Sequence, residues 1–357
     1  MSRAILLPPP QKRSSNLELY RIVCMLMIVA HHYVVNSGLT DTDSVMMAHS
    51  TAANSIYLFF FGMWGKTGIN CFLMITGYFM CKSNITLRKF LKLMGQIYLY
   101  KIIIFIVLAS AGYATMSLKS IVLVLAPIWG IHANFVSCFI VFWLTIPFWN
   151  ILIHNMTKQQ HQVLLCLLLG CYTILGSIPK FHVTVNYVTW FGVIYLVSSY
   201  IRLYPSPHFS GVKKWGFATL VCTILSMLSV YVMVRLTGGS KASFFVSDSN
   251  KIFAVLVAVS SFLWFKNMNI KYSKIINMIG ASTFGVLLIH ANSDAMRTWL
   301  WKDTVDCVGH YEMSLPGLMA YSLCAVLIIF TICIIIDRFR IKLFEKPLFR
   351  WYDSRFK

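Results

Sequence analysis

The sequence predicts an all-α polytopic membrane protein, a bundle of about ten transmembrane helices with both termini cytoplasmic. Three observations predict it. The 357 residues are 58% hydrophobic and only 12% charged, about half the charge that a soluble surface carries. Ten apolar runs approach the roughly 20 residues needed to cross ~30 Å of hydrocarbon. With ten crossings, 21 of the 31 lysines and arginines fall on the face that holds the termini, and seven fall on the other face beside seven acids. By the positive-inside rule the termini are cytoplasmic. Topology and attraction to the anionic inner leaflet thus explain the net charge of +20, and nucleic acid is set aside as a partner.

The runs, in order, are Leu19 to Ser37, Tyr57 to Met80, Gly95 to Gly112, Phe135 to Ile153, Val163 to Ile178, Tyr187 to Leu203, Trp215 to Arg235, Ile252 to Phe265, Ile275 to Ile289 and Gly317 to Asp337. The stretch Ser120 to Gly130, interrupted by Pro127, reads as re-entrant or interfacial. The whole chain, 1–357, reads as one integral membrane unit, with a cytoplasmic lead at 1–18, the bundle at 19–337 and a basic tail at 338–357. Arg3, Lys12 and Arg13 ahead of an apolar run imitate a secretory signal. Arg21, His31 and His32 interrupt that run and no small-residue cleavage site follows, so the segment is expected to be retained. The ten cysteines lie almost wholly inside apolar runs, form no CxxC pair, and only Cys307 falls in an outer loop. That is the habit of buried thiols, with no disulfide framework or metal site indicated.

An ionisable side chain at membrane depth costs about 2.5 to 3.5 kcal/mol on insertion scales, which makes each one a functional candidate. Arg21 and His32 are eleven residues apart, within about 20° of three full turns, so they share one stripe of the first helix about 16 Å apart along its axis. His31 points about 100° away and reads as a packing or hydrogen-bonding residue. His290 ends the ninth run at a depth similar to that of His32. Either the two meet in one cavity, or His290 marks the interface beside Asn292 and Asp294. Lys66 lies near the same level, where it either snorkels outward or lines the cavity. Asn70 and Tyr78, on the same run, are further candidates to line it. Gly65, Lys66 and Thr67 imitate the end of a P-loop, but the glycine required five residues earlier is Phe60, so no P-loop is present. In the first inner loop, Leu87 to Leu93, the cations Arg88, Lys89 and Lys92 either anchor to lipid or dock an anionic cofactor.

The run NLELYRIVCMLMIVAHHY (Asn16 to Tyr33) resembles the first helix of the acyltransferase-three family of bacterial integral membrane O-acyltransferases. GKTGINCFLMITGYFM (Gly65 to Met80) followed by RKFLKL (Arg88 to Leu93) resembles that family's second helix and basic motif. FVSCFIVFWLTIPFWN (Phe135 to Asn150) and ASTFGVLLIH (Ala281 to His290) resemble its middle and late spans. The resemblance implies O-acylation, most often O-acetylation, of a polysaccharide or lipid-linked oligosaccharide at a bacterial inner membrane, in the branch that decorates exopolysaccharide or O-antigen. It implies acetyl-CoA as the cytoplasmic acyl-donor substrate, with no permanently bound cofactor. Arg21 and His32 match the family's essential pair, and Arg88, Lys89 and Lys92 match its basic motif. Lys92 stands where arginine is usual, which keeps the charge but loses the bidentate fork.

The expected mechanism follows from that resemblance. Arg21, Arg88, Lys89 and Lys92 hold the phosphates of coenzyme A at the inner mouth, and the pantetheine arm rises toward His32. The imidazole serves as general base or transient acyl carrier, with His290 or Lys66 stabilising or relaying charge. The alternative is a transporter or lipid-linked sugar flippase using the same arginine and histidines, although no inverted repeat is visible.

Overall fold

The computed structural model describes residues 13–131 and 134–356; Arg3 and Lys12 of the basic lead and Lys357 of the tail lie outside them. All regular structure among the described residues is helical. α1 (Ser15–Val35) carries only Glu18 and Arg21 as fixed charges and is central, touching six other helices of the bundle. α2 (Val45–Ala48) is a single turn started by the Ser44 side chain. α3 (Ala53–Gly62) and α4 (Gly65–Met80) make one 28-residue apolar span whose most apolar stretch is mostly buried. α4 presses onto α1 through glycine. A β-carbon at Gly65 would overlap the His31 ring, and one at Gly68 would crowd Ile28 and the Cys24 carbonyl. Small residues at such a seam let two helix backbones approach closely.

α5 (Leu87–Ser110) starts at Thr86, whose hydroxyl accepts from the Lys89 amide. The segment Leu87 to Leu93, expected to be a loop, is therefore the first two turns of a helix, because nothing after the Thr86 cap breaks it. α6 (Leu118–Leu125), in the stretch expected to be interfacial, buries no residue. α7 (Phe135–Asn155) is capped by Asn134. α8 (Lys158–Leu169) begins earlier than the expected Val163, at a reciprocal Thr157/Gln160 capping box, and runs on through a π-turn at Gly170–Ile174.

α9 (Tyr187–Leu203) and α11 (Ile252–Asn267) pass through the interior on either side of α10 (Val212–Thr237) in sequence, with 17 and 16 residues. The ninth apolar run is broken into α12 (Lys274–Gly280) and α13 (Thr283–His290), and α14 (Asp294–Arg297) with the π-turn Thr298–Thr304 then bends away by 95°. α15 (Leu315–Arg340) continues through a π-turn at Ile341–Glu345 into α16 (Lys346–Phe356), so the basic tail is helical.

Among the described residues seven spans are long and apolar enough to cross a membrane, or eight if the bent pair is one span. This is fewer than the ten expected. α9 and α11, much of whose surface is buried within the bundle, fall just short of spanning length, and neither α12 nor α13 reaches it alone. In contrast, the apolar stretches of α5, of α8 with its continuation to Ser177, and of α10 are mostly unburied. Their outward faces carry Ile106, Val107, Phe217, Ile224 and Leu236 in the open, an apolar surface that calls for lipid. The chain is a multi-pass membrane protein.

Candidate active site

At the end of the bundle opposite α16, α1 ends where α4, α7 and α9 begin. The space between them is a cavity of about 250 Å³ walled by Met25, Ile28, His31, His32, Lys66 and Tyr187, with Arg297 at its edge. His32 Nδ1 and His290 Nε2 lie 2.9 Å apart, and His290 Nδ1 lies 2.6 Å from the Val286 carbonyl oxygen. A carbonyl only accepts, so the His290 proton sits on Nδ1. In a neutral ring Nε2 is then the acceptor, and His32 Nδ1–H donates to it. This hydrogen-bond assignment leaves His32 Nε2 unprotonated, and no hydrogen bond among the described residues engages it. His290 itself is fully buried, and Trp301 stands edge-on to it at 6.4 Å, which holds the ring in place.

His31 donates from Nδ1 to the Gly62 carbonyl oxygen at 2.5 Å, so its ring also braces the approach of α1 to α4. Lys66 lines the cavity, donating to the Tyr187 hydroxyl with its ammonium 5.1 Å from that ring's centre. Tyr187 and Arg297 escaped the sequence reading. Arg297 pairs with the exposed Asp294 at 2.8 Å and keeps a buried Nε without a partner. Its only trace in the sequence is the spacing from Asp294, which says nothing of a chain that bends back onto the cavity.

Two expected cavity residues lie elsewhere. Asn70 is a fully buried cross-brace, donating to the Ser249 carbonyl at 2.6 Å and accepting from Trp190 Nε1 at 2.9 Å. The Tyr78 hydroxyl accepts from Arg202 at 2.9 Å, under a guanidinium 4.7 Å from its ring. Twelve residues separate Tyr78 from Lys66, about 18 Å along a helix. Periodicity chose the face of α4 but not the neighbours that cover it. Arg21 is set against Glu18 at 3.9 Å, and Glu18 also takes Arg13 at 3.3 Å. The cavity extends along α1 to Met25, one turn short of Arg21.

The expected cofactor-binding cations already have partners. Arg88 grips Asp353 of α16 with two hydrogen bonds of 3.0 Å and lies 5.0 Å from the Phe349 ring centre. Lys92 meets Glu345 at 2.6 Å. Lys89 donates to Ser83 Oγ at 2.6 Å and to the Asn84 carbonyl at 2.7 Å. A cleft of about 260 Å³ between α5 and α16 collects Arg88, Lys92, Lys346 and Arg350 together with the acids Glu345 and Asp353. Deeper in, the buried Asp337 accepts from Tyr100 at 2.8 Å, Gln96 at 3.2 Å and Arg340 at 2.8 Å. Among the described residues no three His, Cys, Asp or Glu gather as metal ligands. Burial pushes the Cys307 thiol up to about 12, which keeps it protonated.

Fold and site together define a membrane-embedded helical protein whose polar chemistry is concentrated in one imidazole-lined hollow. The chain belongs to the acyltransferase-3 family, whose profile, described as an acyltransferase domain, matches residues 14–338. It is therefore a membrane acyltransferase. No curated protein and no solved structure matches the chain.

Proposed function

We propose that the protein moves an acetyl or other short acyl group from acetyl-CoA to a hydroxyl of a cell-surface carbohydrate, with His32 as the base. One observation carries this reading. The Val286 carbonyl, His290 and His32 form an ordered chain of hydrogen bonds that ends on a free imidazole nitrogen at a cavity of an acyltransferase-family protein. The acceptor hydroxyl gives its proton to His32 Nε2 as its oxygen attacks the thioester carbonyl. The new C–O bond forms, the C–S bond breaks, and the proton passes to the departing sulfur of coenzyme A. General-base help of this kind is worth about 10²- to 10⁴-fold. His290 takes the place that a carboxylate holds in a serine-type triad, fixing the tautomer of His32 and steadying the imidazolium as it forms. Lys66 is the ammonium on the same cavity that offsets charge on the attacked carbonyl oxygen. In a two-step variant His32 carries the acyl group transiently.

On this reading α9, α11 and the α12–α13 pair also traverse the bilayer. The chain then makes ten crossings of a bacterial inner membrane with cytoplasmic termini. Acetyl-CoA enters at the tail end, where Arg88 and Lys92 exchange Asp353 and Glu345 for its phosphates, assisted by Lys89 and Arg21. The pantetheine arm passes Met25, an unbranched and pliable side chain. The test is incubation of membranes containing the protein with labelled acetyl-CoA and surface glycan. Base-labile label on the glycan, absent for His32→Ala at equal membrane content, is the expected result. Label that persists in His32→Ala refutes the base assignment, and an intact donor with no ester formed points to a transporter or flippase.

A further inference from the structure

We propose that the acceptor is a negatively charged glycan, bound as an extended chain across two adjoining hollows of which the histidine cavity is one. The proposal rests on the acyl-transfer reading above. The second hollow, of about 840 Å³, lies between the segment that leads into α9 and the connection from α10 to α11. Val183, Thr184 and Val185 line it, while Tyr187 lines the histidine cavity. Asn186 between them is extended, with φ −121° and ψ 147°. Two residues of extended chain span about 7 Å, so the hollows are neighbours along one short segment.

Their charge sets them apart. Lys66 and Arg297 face the first hollow, and Lys180, Lys241 and Lys251 face the second. The remaining cations of this end of the bundle, Lys119, Arg235 and Lys302, line neither. Of the seven acids at this end, Asp248 alone lines a hollow; the exposed Asp294 pairs with Arg297 at 2.8 Å, and Asp41, Asp43, Asp303, Asp306 and Glu312 stand elsewhere. This end as a whole is nearly balanced, so membrane topology does not account for the local excess. Among the described residues Lys66, Lys180, Lys241 and Lys251 form no ion pair. Arg297 retains its unpartnered Nε. A cleft lined by one sign of charge concentrates ligands of the other sign. The exposed Phe181 in the second hollow adds a flat apolar face suited to a sugar ring, whereas the Tyr187 and Phe244 rings hold the Lys66 and Lys251 ammonium groups at 5.1 and 4.4 Å.

The test is calorimetric titration of the full chain, in nanodiscs of uncharged lipid, with tetragalacturonate, maltotetraose, monogalacturonate and inorganic pyrophosphate. Tetragalacturonate is expected to bind about tenfold more tightly than maltotetraose, with the advantage shrinking as salt rises. Lys180→Gln combined with Lys241→Gln, both at exposed positions, is expected to weaken tetragalacturonate about fivefold and leave monogalacturonate unchanged. Lys66→Gln is expected to weaken both. Equal affinity for the charged and uncharged tetramers, or an equal loss for monomer and tetramer in the double variant, overturns the proposal. Pyrophosphate binding as tightly as tetragalacturonate also overturns it, by assigning the charge to the diphosphate of a carrier lipid. No acyl donor is present in these titrations. Failed transfer with intact binding therefore counts against the enzymatic reading, and intact transfer without charge preference counts against this one.

Discussion

The two ends of the bundle handle similar side chains in opposite ways. At the tail end Arg88, Lys92 and Arg340 each meet a carboxylate, from Asp353, Glu345 and Asp337. At the histidine end Lys66 meets only a phenol, and the imidazoles of His32 and His290 meet each other. What differs is where the few acids fall. Three of them lie on the continuous helical stretch from α15 to α16, which ties that stretch to α5, so charge there is spent on holding helices together. Cations left facing open space at the other end can act on a ligand.

His32→Ala tests that contrast most sharply, because it removes the histidine end's chemistry without touching the tail end's pairs. Acyl transfer should fall by about 10²- to 10⁴-fold at unchanged membrane yield, measured by ester-linked label on glycan. Asp337→Asn is the converse. It strips a buried charged partner from Arg340, which keeps Glu345 at 2.7 Å, so the stability loss should be about 1–3 kcal/mol, visible as a lower unfolding temperature, while the activity of the surviving folded protein is little changed.

A smaller effect is expected at His290, which works through His32. His290→Ala should lower kcat by about tenfold or more, whereas His290→Gln, whose amide oxygen also accepts a hydrogen bond, should recover much of the rate. Recovery no better than that of alanine would reduce His290 to a packing residue. At the tail end, Arg88→Gln should raise the KM for acetyl-CoA by a few-fold, and Asp353→Asn, which frees Arg88, should lower it. Both belong to a partly exposed pair, so stability should shift by no more than about 1 kcal/mol. The least effect concerns Cys307. With its thiol pushed up to about 12, the reactive thiolate is scarce at every pH well below that value, and Cys307 in the folded protein should resist maleimide at pH 8, read by peptide mapping against the exposed Cys166, Cys171 and Cys324.

Much of the helical order is legible in the chain. Hydropathy marks α1, α7, α10 and α15, and the Thr86 and Thr157 caps that set the starts of α5 and α8 are visible once sought. Hydropathy does not separate a helix wrapped in lipid from one wrapped in protein, and α9 and α11, apolar in sequence, fall short of spanning length by themselves. The site shows the same division. The position of His32 on α1 follows from helical period alone, whereas Asn70 and Tyr78 share a helix with Lys66 and still serve as braces between elements. Nothing near Arg297 or Tyr187 in the sequence announces the cavity that both border.

By itself, then, the sequence determines which segments are helices, that they belong in a membrane, and how far along α1 the imidazole of His32 stands, because these depend on neighbours within a few turns. Only the tertiary structure decides that His32 meets His290, 258 residues away, and that Arg88 is held by Asp353, 265 residues away. Such pairs are set by how whole helices pack, with glycine seams and bends bringing remote turns to one level, and no local rule contains that information.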